Sequence, residues 1–159
     1  MWVGVLSDSH GDVGRAEQAV LAMSDIDLLV HAGDFYSDAM YLSDRFGIEV
    51  RAVIGNCDRC VPGPDEDLLE FEGHRIYLTH GHFYGVKQGL MRLSARVRDV
   101  GAEMAIFGHT HMFQDEELDG IRYLNPGSVA WPRIPGQCTY AIMKLEPGIP
   151  IAVELFTLA

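Results

Sequence analysis

The sequence has few cysteines, and that scarcity excludes two kinds of protein. Three cysteines in 159 residues are too few, and odd in number, for a disulfide framework. A structural zinc site usually needs four Cys or His ligands in spaced pairs. Cys57 and Cys60 do form a C-x-x-C pair, but no thioredoxin-like pattern surrounds it. We therefore expect reduced thiols.

Long apolar runs are also missing. No segment approaches the roughly 20 apolar residues that a membrane-spanning helix needs. The first five residues, Met1 to Val5, lack the basic region that opens a signal peptide. We therefore expect a soluble, cytoplasmic protein with no membrane partner.

Basic residues are scarce. The 12 Lys and Arg are outnumbered by 23 Asp and Glu, which gives a formal net charge of −11. Such a surface repels nucleic acid phosphates and anionic membranes, so stable nucleic acid binding is not expected. A small phosphorylated substrate stays compatible with this charge, because bound dications reverse the local field. The sequence does not identify the natural substrate, and it is compatible with a homo-oligomer.

The pattern of apolar residues predicts one domain, residues 1–159, of class α/β (α+β). In the first half, strands alternate with amphipathic helices. These strands are expected at 2–6, 27–31, 49–54 and 75–78, and the helices at 13–23, 37–46 and 86–100. The second half reads as strands at 104–107, 113–118, 121–124, 139–145 and 151–156. Asp119-Gly120 signals a hairpin there, so we expect a largely antiparallel second half and two packed sheets flanked by helices.

Residues that can bind metal ions gather where the apolar runs end. In sheets built from β-α units, ligands bind beyond the carboxyl ends of the strands, where distant segments converge. Imidazole, carboxylate and amide donors suit Mn, Fe, Zn, Co or Ni better than Mg, which prefers oxygen ligands and water. One such Asp or Asn is usually a turn residue, so the signal lies in the five clusters together. They are Asp8-Ser9-His10, Gly33-Asp34, Gly55-Asn56-Cys57-Asp58, Thr79-His80-Gly81-His82 and Gly108-His109-Thr110-His111.

The order of these clusters, D-x-H, G-D, G-N-x-D, H-G-H and G-H-T-H, closely resembles the signature of the calcineurin-like metallophosphoesterase superfamily. The resemblance runs from Val3 to about Ser128. The short chain, with Asn125-Pro126-Gly127-Ser128 after the last histidines, is similar to the compact bacterial and archaeal phosphodiesterase branch. The retromer scaffold subunit belongs to the same size class. The resemblance implies a four-layer αββα sandwich of two mixed sheets flanked by helices.

The resemblance also implies roles for seven side chains. Asp8, His10 and His111 would hold one divalent ion, and Asn56, His80 and His109 a second, with Asp34 bridging the pair. Mn²⁺ is favoured, with Ni²⁺, Fe²⁺, Zn²⁺ or Co²⁺ as alternatives and Mg²⁺ disfavoured. The implied reaction is hydrolysis of a phosphate ester, in particular a diester, by a hydroxide that bridges the two ions. The implied catalytic residues are Asp34, Asn56, His80 and His109.

Five further residues are candidates for contact with the substrate or for support of the ligands: Cys57, Asp58, His82, Asn125 and Ser128. Composition alone predicts that residues 125–128 form a turn. The resemblance implies that this segment supports the histidine loops and that neither Asn125 nor Ser128 is a metal ligand. Many superfamily members have a His, thought to protonate the leaving group, where this chain has Cys57. Among the other histidines, His31 is expected in the core, bonded to a neighbouring backbone group, and His74 in an exposed turn.

Two alternatives to an enzyme stay open: a scaffold with the same fold, and a metal-binding interaction protein. A scaffold has no chemical reason to keep all seven ligand positions, and here every one carries a residue able to bind metal. The chain has neither a G-x-S-x-G nor a Walker A sequence. It therefore lacks the residues that anchor catalysis in serine hydrolases and phosphate binding in P-loop proteins. The sequence therefore favours the phosphoesterase.

Overall fold

Ten strands, three helices and one 3₁₀ turn, His82–Tyr84, make up the computed structural model, which describes all 159 residues. The helices are α1 (Val13–Ala22), α2 (Tyr36–Phe46) and α3 (Met91–Asp99). The strands are β1 (Trp2–Leu6), β2 (Leu28–His31), β3 (Glu49–Ala52), β4 (Glu66–Phe71), β5 (His74–Thr79), β6 (Met104–Ile106), β7 (Phe113–Leu118), β8 (Ile121–Pro126), β9 (Thr139–Glu146) and β10 (Ile149–Thr157). None of the helices combines the length and the apolar character that crossing a lipid bilayer requires.

The strands form two mixed sheets of five. The first has the order β10-β9-β1-β2-β3, in which β1, β2 and β3 are parallel and β9 and β10 are antiparallel to their neighbours. The second has the order β4-β5-β6-β8-β7, in which β5, β6 and β8 are parallel and the two edge strands are antiparallel. The prediction of two mixed sheets with helices is confirmed.

Three apolar clusters fill the spaces between the layers. Successive side chains of a strand point to opposite faces, so Val3 and Val5 of β1 join a cluster of 16 buried residues between the sheets. Leu6 faces outward and packs with α1 and α2 in a cluster of 11. Leu93 and Val97 of α3 cover the outer face of the second sheet in a cluster of nine. The resulting layers are helix, sheet, sheet and helix.

Three features of the structure differ from the sequence predictions. β6 is parallel to both its neighbours, because β5, α3 and β6 form a β-α-β unit and such a crossover joins parallel strands. α3 begins at Met91 rather than at 86, since Gly85 and Gly89 take positive φ angles and interrupt the helical pattern. Strand β4 was not predicted. It is an edge strand whose sequence, Glu-Asp-Leu-Leu-Glu-Phe, shows no strict alternation.

His74 was predicted to lie in an exposed turn, and that prediction is wrong. It begins β5 and is only 6% exposed. Its Nδ1 lies 2.8 Å from Glu103 Oε1 and its Nε2 lies 2.9 Å from the backbone oxygen of Glu146, at the end of β9. His74 therefore joins the two sheets, at the opposite end of β5 from His80.

Candidate metal centre

The five clusters of the sequence meet at one end of the molecule. Each lies in a loop at the carboxyl end of a parallel strand, β1, β2, β3, β5 or β6. Because neighbouring parallel strands end at the same edge of a sheet, these loops converge between the two sheets. They are residues 7–12, 32–35, 53–58, 80–82 and 107–112.

A first group of donors is formed by Asp8, His10, Asp34 and His111, whose ligand atoms all lie within 4.8 Å of one another. His111 Nε2 lies 3.2 Å from His10 Nε2, and His10 Nε2 lies 3.4 Å from Asp34 Oδ2. Two imidazole nitrogens this close satisfy each other only if one bears a proton. A shared cation removes that requirement, and mixed carboxylate and imidazole donors suit a divalent transition metal.

The hydrogen bonding of the buried Asp8 carboxylate shows whether these residues fit a cation. Its Oδ2 accepts hydrogen bonds from Ser7 Oγ, at 2.6 Å, and from the backbone N–H of His109, at 3.1 Å. Its Oδ1 is buried without a hydrogen-bond partner. That oxygen lies among imidazole Nε2 atoms, 3.2 Å from His111 and 3.9 Å from both His10 and His80. Since buried charged oxygens are normally satisfied, the geometry fits a cation bound by Oδ1.

A second group of donors lies on the other side of Asp34. His80 Nε2 is 3.0 Å from Asn56 Oδ1 and 3.4 Å from Asp34 Oδ1. The ring of His109 packs edge-on against His80, with centroids 5.1 Å apart. The two oxygens of Asp34 therefore face imidazoles of different groups, Oδ2 toward His10 and Oδ1 toward His80.

Backbone carbonyls orient two of the imidazoles. His80 Nδ1 lies 2.7 Å from the oxygen of Ala32, and His111 Nδ1 lies 2.6 Å from the oxygen of Trp131. A carbonyl only accepts, so in both rings Nδ1 is the donor. When the ring is neutral, Nε2 is then unprotonated and faces the carboxylates, as a metal ligand requires.

The buried groups of the centre shift one another's pKa values. Burial opposes the charged form of Asp8 and Asp34, but the imidazoles of His111 and His80 that face their oxygens outweigh it and lower both pKa values. The facing carboxylate of Asp8 raises the pKa of His111, and Asp34 raises that of His80 against the effect of burial. Burial and the charges of His80 and Lys87 lower the pKa of His109 to about 4. A dication would displace the protons that His80 and His111 otherwise hold.

The loops that carry the donors have strained backbones. Positive φ angles between 49° and 69° occur at Asp8, His10, Asp34, His109 and His111. This region is sparsely populated by residues other than glycine. Strain of this kind concentrates at functional sites, where the surrounding structure holds it in place.

Gly55 and Gly108 let the backbone come close to the two carboxylates. A Cβ at Gly55 would collide with the side chain of Asp34, and one at Gly108 would collide with Ser7 Oγ and lie 2.7 Å from Asp8 Oδ2. Neither glycine has a positive φ. Their role is therefore close packing against the donors rather than a turn.

Asn125 and Ser128 hold the loops of the centre in place. The amide of Asn125 donates to the oxygen of Gly108 and to Thr110 Oγ1, each at 2.9 Å, and both groups belong to the histidine loop. Ser128 Oγ donates to the backbone oxygen of Asp8 at 2.8 Å and accepts from the N–H of Trp131 at 2.7 Å. Neither side chain lies among the proposed ligands.

The other three candidates surround the second group. Asp58 accepts hydrogen bonds from the backbone N–H groups of Phe35, Tyr36 and Gly55, so its carboxylate shapes the ligand loops. Cys57 donates its backbone N–H to Asp34 Oδ1 at 3.0 Å, and burial together with Asp34 raises the pKa of its thiol to about 11. The ring centroid of His82 lies 5.4 Å from that of His80, and its buried Nδ1 has no hydrogen-bond partner.

His31 lies in the core beneath the centre, as predicted. It is fully buried, and its Nδ1 accepts the backbone N–H of Gly33 at 3.2 Å. Two contributors were missed. Ser7, which bonds to Asp8, precedes the first cluster directly and could have been found by that position. Trp131 stacks on His10, with centroids 5.0 Å apart and planes at 16°, and no local pattern announces that contact.

Comparisons with known proteins identify the family. Residues 1–148 match the family model described as the calcineurin-like phosphoesterase superfamily domain. The chain is 36% identical over 148 residues to the probable metallophosphoesterase YsnB of Bacillus subtilis, which covers 92% of this chain and 85% of that protein. It is 29% identical over 175 residues to the phosphodiesterase YfcE of Escherichia coli, which covers 93% and 90%. A solved structure of a predicted phosphoesterase from Streptococcus pneumoniae superposes with a TM-score of 0.84 at 27% identity, over 98% of this chain and 88% of that one.

Proposed function

The chain belongs to the calcineurin-like phosphoesterase superfamily, and from that premise we propose that it is a phosphodiesterase dependent on two divalent metal ions. The position of Asp34 carries the proposal. Its two oxygens lie 3.4 Å from His10 and 3.4 Å from His80, which belong to separate groups of donors. One carboxylate between two sets of ligands is the arrangement that a pair of cations needs.

Each group of donors would hold one ion, with Asp34 shared. The first group is Asp8, His10 and His111, and the second is Asn56, His80 and His109. Both groups mix imidazole nitrogen with oxygen, which favours Mn²⁺ over Mg²⁺ and leaves Ni²⁺, Fe²⁺, Zn²⁺ and Co²⁺ as alternatives.

The ions would supply water of lowered pKa and neutralise the charge that develops on a phosphate. The protein supplies position. Asp8 and Asp34 are buried and held by Ser7 and by backbone N–H groups, so their geometry is set before a substrate arrives. Asn56 is exposed and His109 is half-buried, and they form the rim on which the phosphate would lie.

The surroundings of Asn56 support a substrate with a good leaving group, and a relative's name supports a diester. The thiol of Cys57, with its pKa of about 11, is a weaker proton donor at neutral pH than an imidazolium. Esters whose leaving group departs without a proton are then favoured. The relative YfcE, 29% identical, is named a phosphodiesterase.

A scaffold without metal would explain the fold alone. It gives no reason for seven competent donors in one place or for five strained residues among them. These features support the enzyme over such a scaffold, and measured turnover separates the enzyme from a metal-binding interaction protein.

The test is hydrolysis of bis(p-nitrophenyl) phosphate and of p-nitrophenyl phosphate by chelator-treated protein, with Mn²⁺, Ni²⁺, Zn²⁺ and Mg²⁺ restored singly and bound metal counted by mass spectrometry. We expect turnover only after metal is restored, a faster reaction with the diester, and two ions per chain. Two bound ions without turnover of either ester would favour the interaction protein. Full activity with one ion per chain would refute the paired centre.

A further inference from the structure

Most basic side chains of this acidic protein are neutralised by a carboxylate. Of the 12 Lys and Arg residues, eight form ion pairs with Asp or Glu. The four without such a partner are Arg59, Lys87, Arg92 and Arg133. Unpaired cations on a surface with a net charge of −11 are available to an anionic ligand.

Lys87 and Arg133 line the same hollow beside the proposed metal centre. The hollow has a volume of about 380 Å³, and its wall includes His109, His111 and Trp131. A neighbouring hollow of about 370 Å³ is also lined by Lys87 and Arg133. The two cations therefore border the histidine loop from the solvent side.

Arg133 is held in this place by the histidine loop itself. Its backbone N–H donates to the oxygen of His111 at 3.3 Å, and its Nε donates to the oxygen of Thr110 at 3.4 Å. These bonds leave the two terminal nitrogens of the guanidinium for a ligand. A guanidinium binds a phosphate through two parallel hydrogen bonds, which makes phosphate the anion best matched to this group.

Trp131 adds a flat apolar surface to the same hollow. Its side chain is 61% exposed although one face stacks on His10. An exposed indole beside a phosphate-binding arginine suits the base of a nucleotide, because every base offers a face for stacking.

We propose that Lys87 and Arg133 form a subsite for a second phosphate of the substrate, next to the scissile diester, with Trp131 stacking on a base. The inference rests on the proposed function, and it names the substrate class as a nucleoside phosphodiester that carries a further phosphate on another hydroxyl. The scissile phosphate has the metal centre for its own charge. The two unpaired cations lie outside that centre and are left for a second anion.

Two substrates with one leaving group test the subsite. Thymidine 5′-(p-nitrophenyl phosphate) and its 3′-phosphorylated form differ by a single phosphate. We expect wild type to prefer the 3′-phosphorylated substrate in kcat/KM, mainly through a lower KM. The preference should be only about tenfold, because surface ion pairs are individually weak. Lys87→Ala and Arg133→Ala should each reduce the preference about three- to fivefold, and the comparison of the two substrates within each variant removes any effect that the change has on the metal centre itself. Arg92→Ala, which removes an unpaired arginine outside the hollow, is the matched control.

A binding measurement separates this subsite from catalysis. The chain has two tryptophans, so Trp2→Phe leaves Trp131 as the only one. Metal-free protein with this change is titrated with thymidine 3′,5′-bisphosphate and with thymidine, and fluorescence is recorded. We expect a saturable change with the bisphosphate that weakens with salt and in the Arg133→Ala background.

The outcomes are distinguishable. If simple diesters are hydrolysed but the second phosphate brings no preference and no fluorescence change, the subsite is wrong and the proposed function stands. If the bisphosphate binds through Arg133 while no ester is hydrolysed, the subsite stands and the proposed function is wrong. Equal effects of Arg92→Ala and Arg133→Ala would also overturn the subsite, since they would reflect net charge alone.

Discussion

At the scale of single residues, the proposed ligands meet two requirements at once. They offer nitrogen or oxygen to a cation, and five of them, Asp8, His10, Asp34, His109 and His111, take left-handed backbone angles. Asp and His tolerate that region better than most other residues with a side chain. The loops can therefore turn back toward the centre at the ligand itself, which keeps the donor atoms close together.

Asp34→Asn should abolish turnover and reduce metal content, because it neutralises the one carboxylate that faces both groups of donors. We expect a loss of about 10³-fold or more in kcat, the scale seen when a central electrostatic group is removed. Bound metal is measured by mass spectrometry, with the exposed Asp44→Asn as the control. Wild-type rates with a full complement of metal in Asp34→Asn would contradict the bridging role.

Cys57 should be dispensable for esters with good leaving groups. Its thiol has a pKa of about 11, so it protonates a leaving group poorly, and a positioned general acid is usually worth about 10²–10⁴-fold. We expect wild type to show a steep dependence of rate on leaving-group pKa, little changed in Cys57→Ala, and a shallower one in Cys57→His. The measurement is a series of aryl and alkyl diesters, with Cys60→Ala as the control. A shallow dependence that steepens only in Cys57→Ala would identify the thiol as the acid after all.

Single residues were predictable from the sequence where the local pattern carried the chemistry. The donor clusters stood out because each ends an apolar run, and their convergence followed from the geometry of parallel strands. The contacts of Trp131, Lys87 and Arg133 depend on where a loop packs after the chain has folded. His74 was misplaced because an adjacent Gly73 suggested a turn, whereas the ring reaches across to the other sheet.

At the scale of elements, the centre depends on which strands are neighbours. The positions of all strands except β4 followed from the apolar runs, and the β7-β8 hairpin formed where Asp119-Gly120 predicted it. The β4-β5 hairpin was missed because its turn is Glu72-Gly73, both with positive φ. The usual signal for such a turn is Asn or Asp before Gly, so Glu72 concealed it. To predict that β6 is parallel to β5, one would have to know that α3 crosses over the sheet between them.

Asn125→Ala should remove the side-chain hydrogen bonds that attach the histidine loop to β8. The change removes buried hydrogen bonds to Gly108 and Thr110, which should cost about 1–3 kcal/mol in the free energy of unfolding. Metal affinity should also fall about 10- to 100-fold, as for other groups that position ligands. Urea unfolding of metal-free protein and metal titration measure the two effects. Gln114→Ala, at the paired position on β7, is the control. A loss of stability with unchanged metal affinity would limit Asn125 to the fold.

At the scale of the whole molecule, different kinds of contact join the two sheets at their two ends. At one end the ligand loops meet around buried carboxylates that repel one another until cations or protons neutralise them. At the other end His74 links β5 to the end of β9 through Glu146 and is paired with Glu103. The apolar cluster of 16 residues lies between. Conditions that loosen the metal end therefore leave a second, separate contact between the sheets.

The contact at His74 should make stability depend on pH in a defined direction. Burial opposes charging of the ring, but the bonds to Glu146 and Glu103 outweigh it and raise the pKa of His74, because only the imidazolium donates from both nitrogens. The folded protein then binds a proton more tightly than the unfolded chain, whose histidine has a pKa near 6.5. The stabilisation is therefore fully present below about pH 6.5 and is lost as the pH rises through the folded pKa.

Urea unfolding of chelated wild type and His74→Gln, from pH 5.5 to 9, measures this contribution as the difference between the two proteins. We expect the difference to be about 1.5–3 kcal/mol at the acidic end, as for hydrogen bonds to charged groups, and to shrink as the pH rises. Taking the difference removes the titration of the metal ligands, which both proteins share. Glu103→Gln should flatten the pH dependence while keeping the bond to Glu146. A difference that is constant with pH, or that grows toward pH 9, would mean that the ring is neutral in the folded protein and that the link between the sheets does not depend on its charge.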